Sequence, residues 1–265
     1  MNIGYPKRLR FDHLASPVDQ TFWDSIFYKM LLDLKYYEQK AGELLPNVGM
    51  TPFLITPSAT CFSCPLLNWT LPIKTGTRVQ GIVILQDWWN APETLESAVH
   101  YVTKVTNGLY DATLTPLFGS RLWFDAFMDR EEGWLATNAV WGLRPSSMSE
   151  VGYLGDNRHQ AGFVIWAGIV KDLLKLNPKL KIVLAGTWAE FKKEHFKSEL
   201  TGGPSYKAAE VFGWWRDWIA RRTSPSQDSL SLAKDLESMH SEAVVEHWFA
   251  PAAWKTKYRG TPPPP

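Results

Sequence analysis

Cysteine is nearly absent from this 265-residue chain, which has only Cys61 and Cys64. Two cysteines cannot organise a disulfide scaffold. An isolated C-x-x-C also lacks the second ligand pair of a tetrahedral zinc site, so the two are read as reduced thiols and no metal is expected. Net charge is nearly absent too: 28 Lys and Arg stand against 27 Asp and Glu, leaving +1. A global electrostatic pull on nucleic acid is thereby excluded, and any DNA contact has to come from a local patch. No uninterrupted apolar run of about 18 residues occurs, and Met1 to Arg10 lack the apolar stretch of a secretory signal. The expectation is a cytosolic (cytoplasmic) protein with no membrane partner and no obligate protein partner.

Apolar and aromatic mass is plentiful. Hydrophobic residues make up 45% of the sequence and 14 positions are Trp, enough for one large core. Most of the tryptophans are assigned to that core, including Trp214, Trp215 and Trp218 on one predicted helix, although Trp also stacks on exposed bases.

Along the chain, Thr21 to Leu45 has apolar residues at helical spacing and ends at Pro46 and Gly49. Thr51 to Thr77 is proline-rich and reads as a long surface loop. Four short apolar runs read as buried strands: Val79 to Leu85, Gly133 to Val140, Leu180 to Ala185 and Ala243 to Phe249. Helices are predicted over Glu93 to Asn107, Arg121 to Met128, Ala161 to Leu176 and Tyr206 to Arg222, and a polar loop over Ser224 to Ser231. Alternating strands and helices predict an α/β fold, a three-layer α/β/α sandwich around a mostly parallel four-stranded sheet. One domain is expected over 1–260, with a core at about 78–258, an N-terminal extension over 1–77, and a disordered proline tail at 261–265.

In a parallel sheet, ligand-binding groups gather where strands end and loops leave the core. Three predicted strand ends carry polar residues that a buried run does not need: Gln86 and Asp87 after the first, Asn138 near the end of the second, and His247 late in the fourth. An acid, an amide and an imidazole suffice to cleave a base from deoxyribose.

At these residues the chain resembles the uracil-DNA glycosylase superfamily. Leu85-Gln86-Asp87-Trp88-Trp89 is similar to the family's first motif, G-Q-D-P-Y-H. Thr137-Asn138-Ala139-Val140 followed by Arg144-Pro145 is similar to the T-N-x-V…R-P run. Pro116-Leu117-Phe118-Gly119 resembles the segment that supplies a stacking aromatic, and His247 to Trp254 resembles the closing H-P-S segment. The ordered set spans about Gln80 to Lys255. Leu85 and Trp88 stand where the first motif has Gly and Pro, and Trp89 replaces the Tyr that screens the pyrimidine 5-position. The last motif aligns either on His247 or with Ala250 in the histidine's place. The cluster cysteines of the iron-sulfur branch are missing, so no cofactor is expected.

The resemblance implies a monofunctional DNA glycosylase. Asp87 would stabilise the oxocarbenium-like sugar and orient water, and His247 would polarise the departing base. Asn138 would read the edge of an extruded pyrimidine, with Gln86, Trp89 and Phe118 forming the base pocket. Trp248, Phe249 and Trp254 would wedge the duplex, and Arg144 and Lys255 would meet phosphates. The substitutions around Trp89 extend the substrate from uracil to modified pyrimidines, including those of foreign DNA such as phage DNA. Two rival readings remain: a base reader that has lost the chemistry, and a hydrolase of free nucleosides, which needs no wedge and would bury Trp248 and Trp254.

Overall fold

The computed structural model describes residues 36–37, 39–52, 67–68, 79–87, 133–145, 147–148, 152–186, 188–189 and 204–249. Its strands in chain order are β1 (Thr51–Pro52), β2 (Leu67–Asn68), β3 (Val79–Leu85), β4 (Gly133–Asn138), β5 (Gly142–Leu143), β6 (Lys181–Ala185), β7 (Tyr206–Lys207) and β8 (Val244–Trp248). Three long helices are α1 (Asp156–Leu176), α2 (Ala208–Ala220) and α3 (Gln227–Ser238). The fold is α/β. A six-stranded sheet has the order β2-β4-β3-β6-β8-β7, in which β4, β3, β6 and β8 are parallel and the two-residue edge strands are antiparallel. The four central strands are the four apolar runs read from the sequence. The edge pieces were not expected, nor was the small antiparallel pair of β1 with β5.

The apolar runs are nearly continuous because both sheet faces are covered. Ile82, Ile84, Ile182, Leu184 and Val245 share one core with Phe163, Trp166, Val170, Phe212, Trp215 and Leu236 of α1, α2 and α3. Val83 and Val183, on the opposite face, are fully buried as well. The helices expected over Glu93 to Asn107 and Arg121 to Met128 lie outside the described residues. Trp215 and Trp218 are buried in the core and Trp214 packs against it, as expected.

Two helix boundaries differ from expectation. α1 begins at Asp156, five residues before the predicted Ala161, because its first turn is polar while its sheet-facing side is already buried at His159 and Gln160. The segment read as a polar loop, Ser224 to Ser231, contains the start of α3. Ser226 caps it by accepting from the Ser229 backbone N–H at 3.3 Å, and Ala233 and Leu236 are buried. A helix that packs on one stripe needs few apolar residues, so composition hid it.

α1 lies close against the end of β4. A Cβ on Gly162 would sit 2.2 Å from the Ala139 carbonyl oxygen, so only glycine permits this approach. Because α1 leads into β6, its first turn stands at the carboxyl ends of the parallel strands. In the central order β4-β3-β6-β8, the chain leaves β3 toward β4 and leaves β6 in the other direction, toward β8. That reversal puts a topological switch point between β3 and β6, and ligands of open parallel sheets bind in the crevice outside such a point. No described helix is long and apolar enough to cross a membrane.

Candidate functional site

Parallel register brings the predicted site residues to one end of the sheet. Leu85 pairs with Asn138 and Ala185 with Trp248, so Gln86, Asp87, Asn138 and Gly186 all emerge at the strand carboxyl ends. At the end of β3, Asp87 is gripped by Arg144. The guanidinium donates from Nε to Oδ2 at 2.6 Å and from Nη2 to Oδ1 at 3.0 Å. Gln86 Nε2 donates to Asp87 Oδ1 at 3.1 Å and to the Gly152 carbonyl at 2.9 Å, and Arg144 Nη2 reaches the same carbonyl at 2.9 Å. Both ionic side chains are almost completely buried. The fork therefore fixes the loop before α1 to the end of β3.

This pairing corrects one expectation outright. Arg144, assigned to DNA phosphates, is a buried partner of Asp87 and does not present a surface cation. A guanidinium taken out of water needs a carboxylate, and Asp87 supplies it. The same contact bears on Asp87, because both its oxygens are occupied by Arg144 and its charge is offset within the site.

Asn138 ends β4 next to this cluster. It is fully buried, and neither its amide nitrogen nor its amide oxygen has a hydrogen-bond partner among the described residues. Leaving such a group unsatisfied costs about 1–3 kcal/mol, and natural structures rarely tolerate it without a reason.

His247 lies on β8 opposite Leu184 and is fully buried, its Nε2 bonded to the Gly186 carbonyl at 2.8 Å. This bond ties β8 to the turn after β6, where the Gly186 N–H also donates to the Trp248 carbonyl at 2.9 Å. Trp248 is not an exposed wedge. It is buried, and its Nε1 donates to Glu246 Oε2 at 2.8 Å, so the wedge role assigned to it is withdrawn. A strand residue whose face of the sheet is covered has no free ring to insert. Phe249 follows the strand and is half-buried. Trp89, Phe118, Trp254, Lys255, Ala250, Cys61 and Cys64 lie outside the described residues.

Sequence reading missed an aromatic stack at the same end of the sheet. His159, in the first turn of α1, is sandwiched between Tyr153 (ring centroids 4.7 Å apart, planes 15° apart) and Trp188 (5.5 Å, 7°). It is 2% exposed and neither ring nitrogen has a hydrogen-bond partner among the described residues. Burial, helped by the nearby positive charge of Arg144, pushes its pKa down to about 3, so the imidazole is neutral. Trp188 is pinned by its Nε1, which donates to the Ala185 carbonyl at 2.8 Å. The sequence signal for this stack was Tyr153-Leu154-Gly155-Asp156 leading into Arg158-His159, a glycine-acid helix start flanked by ring residues.

The Tyr153 ring also borders a surface cleft of about 490 Å³ whose walls include Asn47, Asn157 and Arg158. The strand-end cluster can therefore do three things chemically. It holds a neutralised carboxylate in fixed geometry, offers one buried amide with free donors and acceptor, and presents a rigid aromatic surface nearby. No protein family, curated protein or solved structure matches this chain.

Proposed function

We propose that this chain is a DNA glycosylase of the uracil-DNA glycosylase kind, which takes an extruded pyrimidine at the carboxyl end of its sheet and hydrolyses the bond to deoxyribose. The fold we assign is the three-layer α/β/α sandwich of that superfamily; the parallel order β4-β3-β6-β8 with α1, α2 and α3 on one face supports two of its layers, and the burial of Val83 and Val183 on the opposite face is compatible with the third. The observation that carries the reading is Asn138, a fully buried amide at the carboxyl end of β4 without a hydrogen-bond partner among the described residues. A pyrimidine edge offers an acceptor and a donor side by side, which is what one amide needs to satisfy both its ends. A ligand that pairs both ends of the amide offsets the desolvation cost of burying it.

In the reaction, the C1′–N1 bond breaks with its electron pair passing to the base. Water then adds to C1′, and the proton it releases is matched by one taken up at N1 of the departed base anion, so the products are the free base and an abasic deoxyribose. On this reading Asp87 is the carboxylate that meets the cationic sugar, and its hydrogen bond from Gln86, which is also tied to Gly152, supports a fixed orientation. Trp248 is buried, as the free-nucleoside hydrolase also expects, and supplies no duplex wedge; on the glycosylase reading this favours a substrate whose base is already unpaired, a single strand before a duplex.

The fork between Asp87 and Arg144 favours a second reading, a base reader without cleavage. A carboxylate neutralised by a guanidinium stabilises a developing cation far less than a free one does. One experiment separates the two. Single-stranded and duplex oligonucleotides containing uracil, mismatched thymine or 5-modified cytosines are incubated with wild type, Asp87→Asn and Asn138→Ala, and abasic sites are detected by alkaline cleavage. The glycosylase reading expects abasic product that Asp87→Asn reduces by at least about 100-fold. Binding of a modified oligonucleotide, lost in Asn138→Ala, with no abasic product from wild type establishes the reader.

A further inference from the structure

The cleft beside α1 is not used by the proposed base site, and its chemistry is specific. Tyr153 and Tyr36 are the only large hydrophobic side chains exposed among the described residues, and Tyr153 borders the cleft. Its ring is not a loose surface tyrosine. One face rests on His159, which rests on Trp188 in the core, and the hydroxyl donates to Asp156 Oδ1 at 2.6 Å. The ring is thus locked in plane with its outer face toward solvent. An aromatic surface held this way binds a planar group without losing side-chain freedom.

The charge in the cleft matches. Arg158 lines it, held by an Nη1 bond to the Leu154 carbonyl at 2.9 Å, and has no carboxylate partner among the described residues. Asp156, the cleft's acid, is already paired with Arg222. Asn47 and Asn157 add amide groups. A fixed ring, an unpaired guanidinium and neutral amides fit a base with its phosphate. The cleft is tethered to the strand-end cluster through the chain: Tyr153 directly follows Gly152, whose carbonyl is clamped by Gln86 and Arg144.

We propose that this cleft is a second nucleotide subsite, in which a base of a single nucleic-acid strand stacks on Tyr153 and an adjoining phosphate meets Arg158. The proposal rests on the nucleic-acid reading above but not on base excision, and it concerns undamaged bases.

The test is fluorescence anisotropy of a labelled, undamaged oligothymidylate of about ten nucleotides with the full chain. Tyr153→Ala is expected to weaken binding by about tenfold and Tyr153→Phe, which keeps the ring, by less than about twofold. Arg158→Gln is expected to weaken binding and to lower the slope of log affinity against log salt by about 0.7. Equal affinity of wild type and Tyr153→Ala overturns the proposal, as does an equal loss in Tyr153→Phe and Tyr153→Ala. Thermal melting checks that the variants are folded. Should Tyr153→Ala not fold, photo-cross-linking of wild type to an oligonucleotide carrying 5-iodouracil decides: an adduct on Tyr153 supports the subsite, and adducts only elsewhere overturn it. Competition by thymidine monophosphate is the last arm. If it displaces the probe as well as an unlabelled oligothymidylate does at equal nucleotide concentration, the cleft takes free nucleotides and the strand assignment falls. Because no arm measures abasic product, failure here leaves the Asn138 reading to its own experiment.

Discussion

Glu246 and Asn138 sit on parallel strands of one sheet, both buried, and their surroundings differ completely. Glu246 accepts from Ser205 Oγ at 3.0 Å and from Trp248 Nε1 at 2.8 Å, and pairs with Lys181 Nζ at 2.9 Å. Lys181 in turn lies 5.5 Å from the Trp248 ring centroid. Among the described residues Asn138 has no hydrogen-bond partner at either end of its amide. A buried charge with its hydrogen bonds made belongs to the architecture, whereas a buried amide with none made is stability forgone, which selection retains where a ligand supplies the missing contacts. Asp87 falls between the two, since it is partnered like Glu246 but placed like Asn138.

The largest effect is expected where that intermediate case is broken. Asp87→Ala leaves Arg144 buried without its carboxylate, and Arg144→Ala does the converse. Each is expected to lower unfolding free energy by about 3–5 kcal/mol, read from urea titration at neutral pH. A loss under about 1 kcal/mol in either variant would mean that the pair opens readily to water. Such an open pair leaves the Asp87 charge less offset, which strengthens the cleavage reading over the base reader.

His159 gives the next effect, through pH. Its folded pKa, about 3, lies below its ordinary value of 6.5. Between these values the unfolded chain holds a proton that the folded chain refuses, so stability is complete above about pH 6.5 and falls as pH drops toward 3. The slope from this group is at most about 1.4 kcal/mol per pH unit. His159→Phe keeps the stack between Tyr153 and Trp188 and is expected to remove that part of the acid sensitivity. Identical pH–stability curves for wild type and variant would show that the imidazole reaches solvent. Glu246→Gln follows in size. It keeps the acceptor for Trp248 but weakens the contact with Lys181, for an expected loss of about 1–2 kcal/mol by the same titration.

Legibility followed the range of the interactions. The four central strands were readable because a parallel strand buried on both faces is a continuous apolar run, as in Val79 to Leu85 and Leu180 to Ala185. Edge strands of two residues carry no such pattern, and α3 was hidden because Gln227, Asp228 and Ser229 read as loop while its helix start depends on one cap at Ser226. In the site, Gln86, Asp87 and Asn138 could be placed at one end of the sheet from strand direction alone. Arg144 could not be assigned, because its choice of Asp87 over a phosphate is made across 57 positions by tertiary structure. His159 and Tyr153 escaped for the same reason. A stack of three rings from the loop before α1, its first turn and the segment after β6 has no local periodicity to betray it.

The smallest change in stability carries the sharpest test of the comparison. Asn138→Leu replaces an unsatisfied amide by an apolar group of similar size at a fully buried position. At a satisfied site such as Glu246 an apolar replacement removes contacts and destabilises. At Asn138 it removes a desolvation penalty and no hydrogen bond, so the variant is expected to be as stable as wild type or more stable by up to about 1 kcal/mol. The same substitution removes every polar contact that a pyrimidine edge would make there, so recognition of the modified base is expected to fall by at least about tenfold, the lower end of a good bidentate contact. A clear loss of stability in Asn138→Leu would mean that the amide is structurally satisfied in the folded protein. The site would then have no vacancy for a base, and Asn138 would join Glu246 as part of the frame.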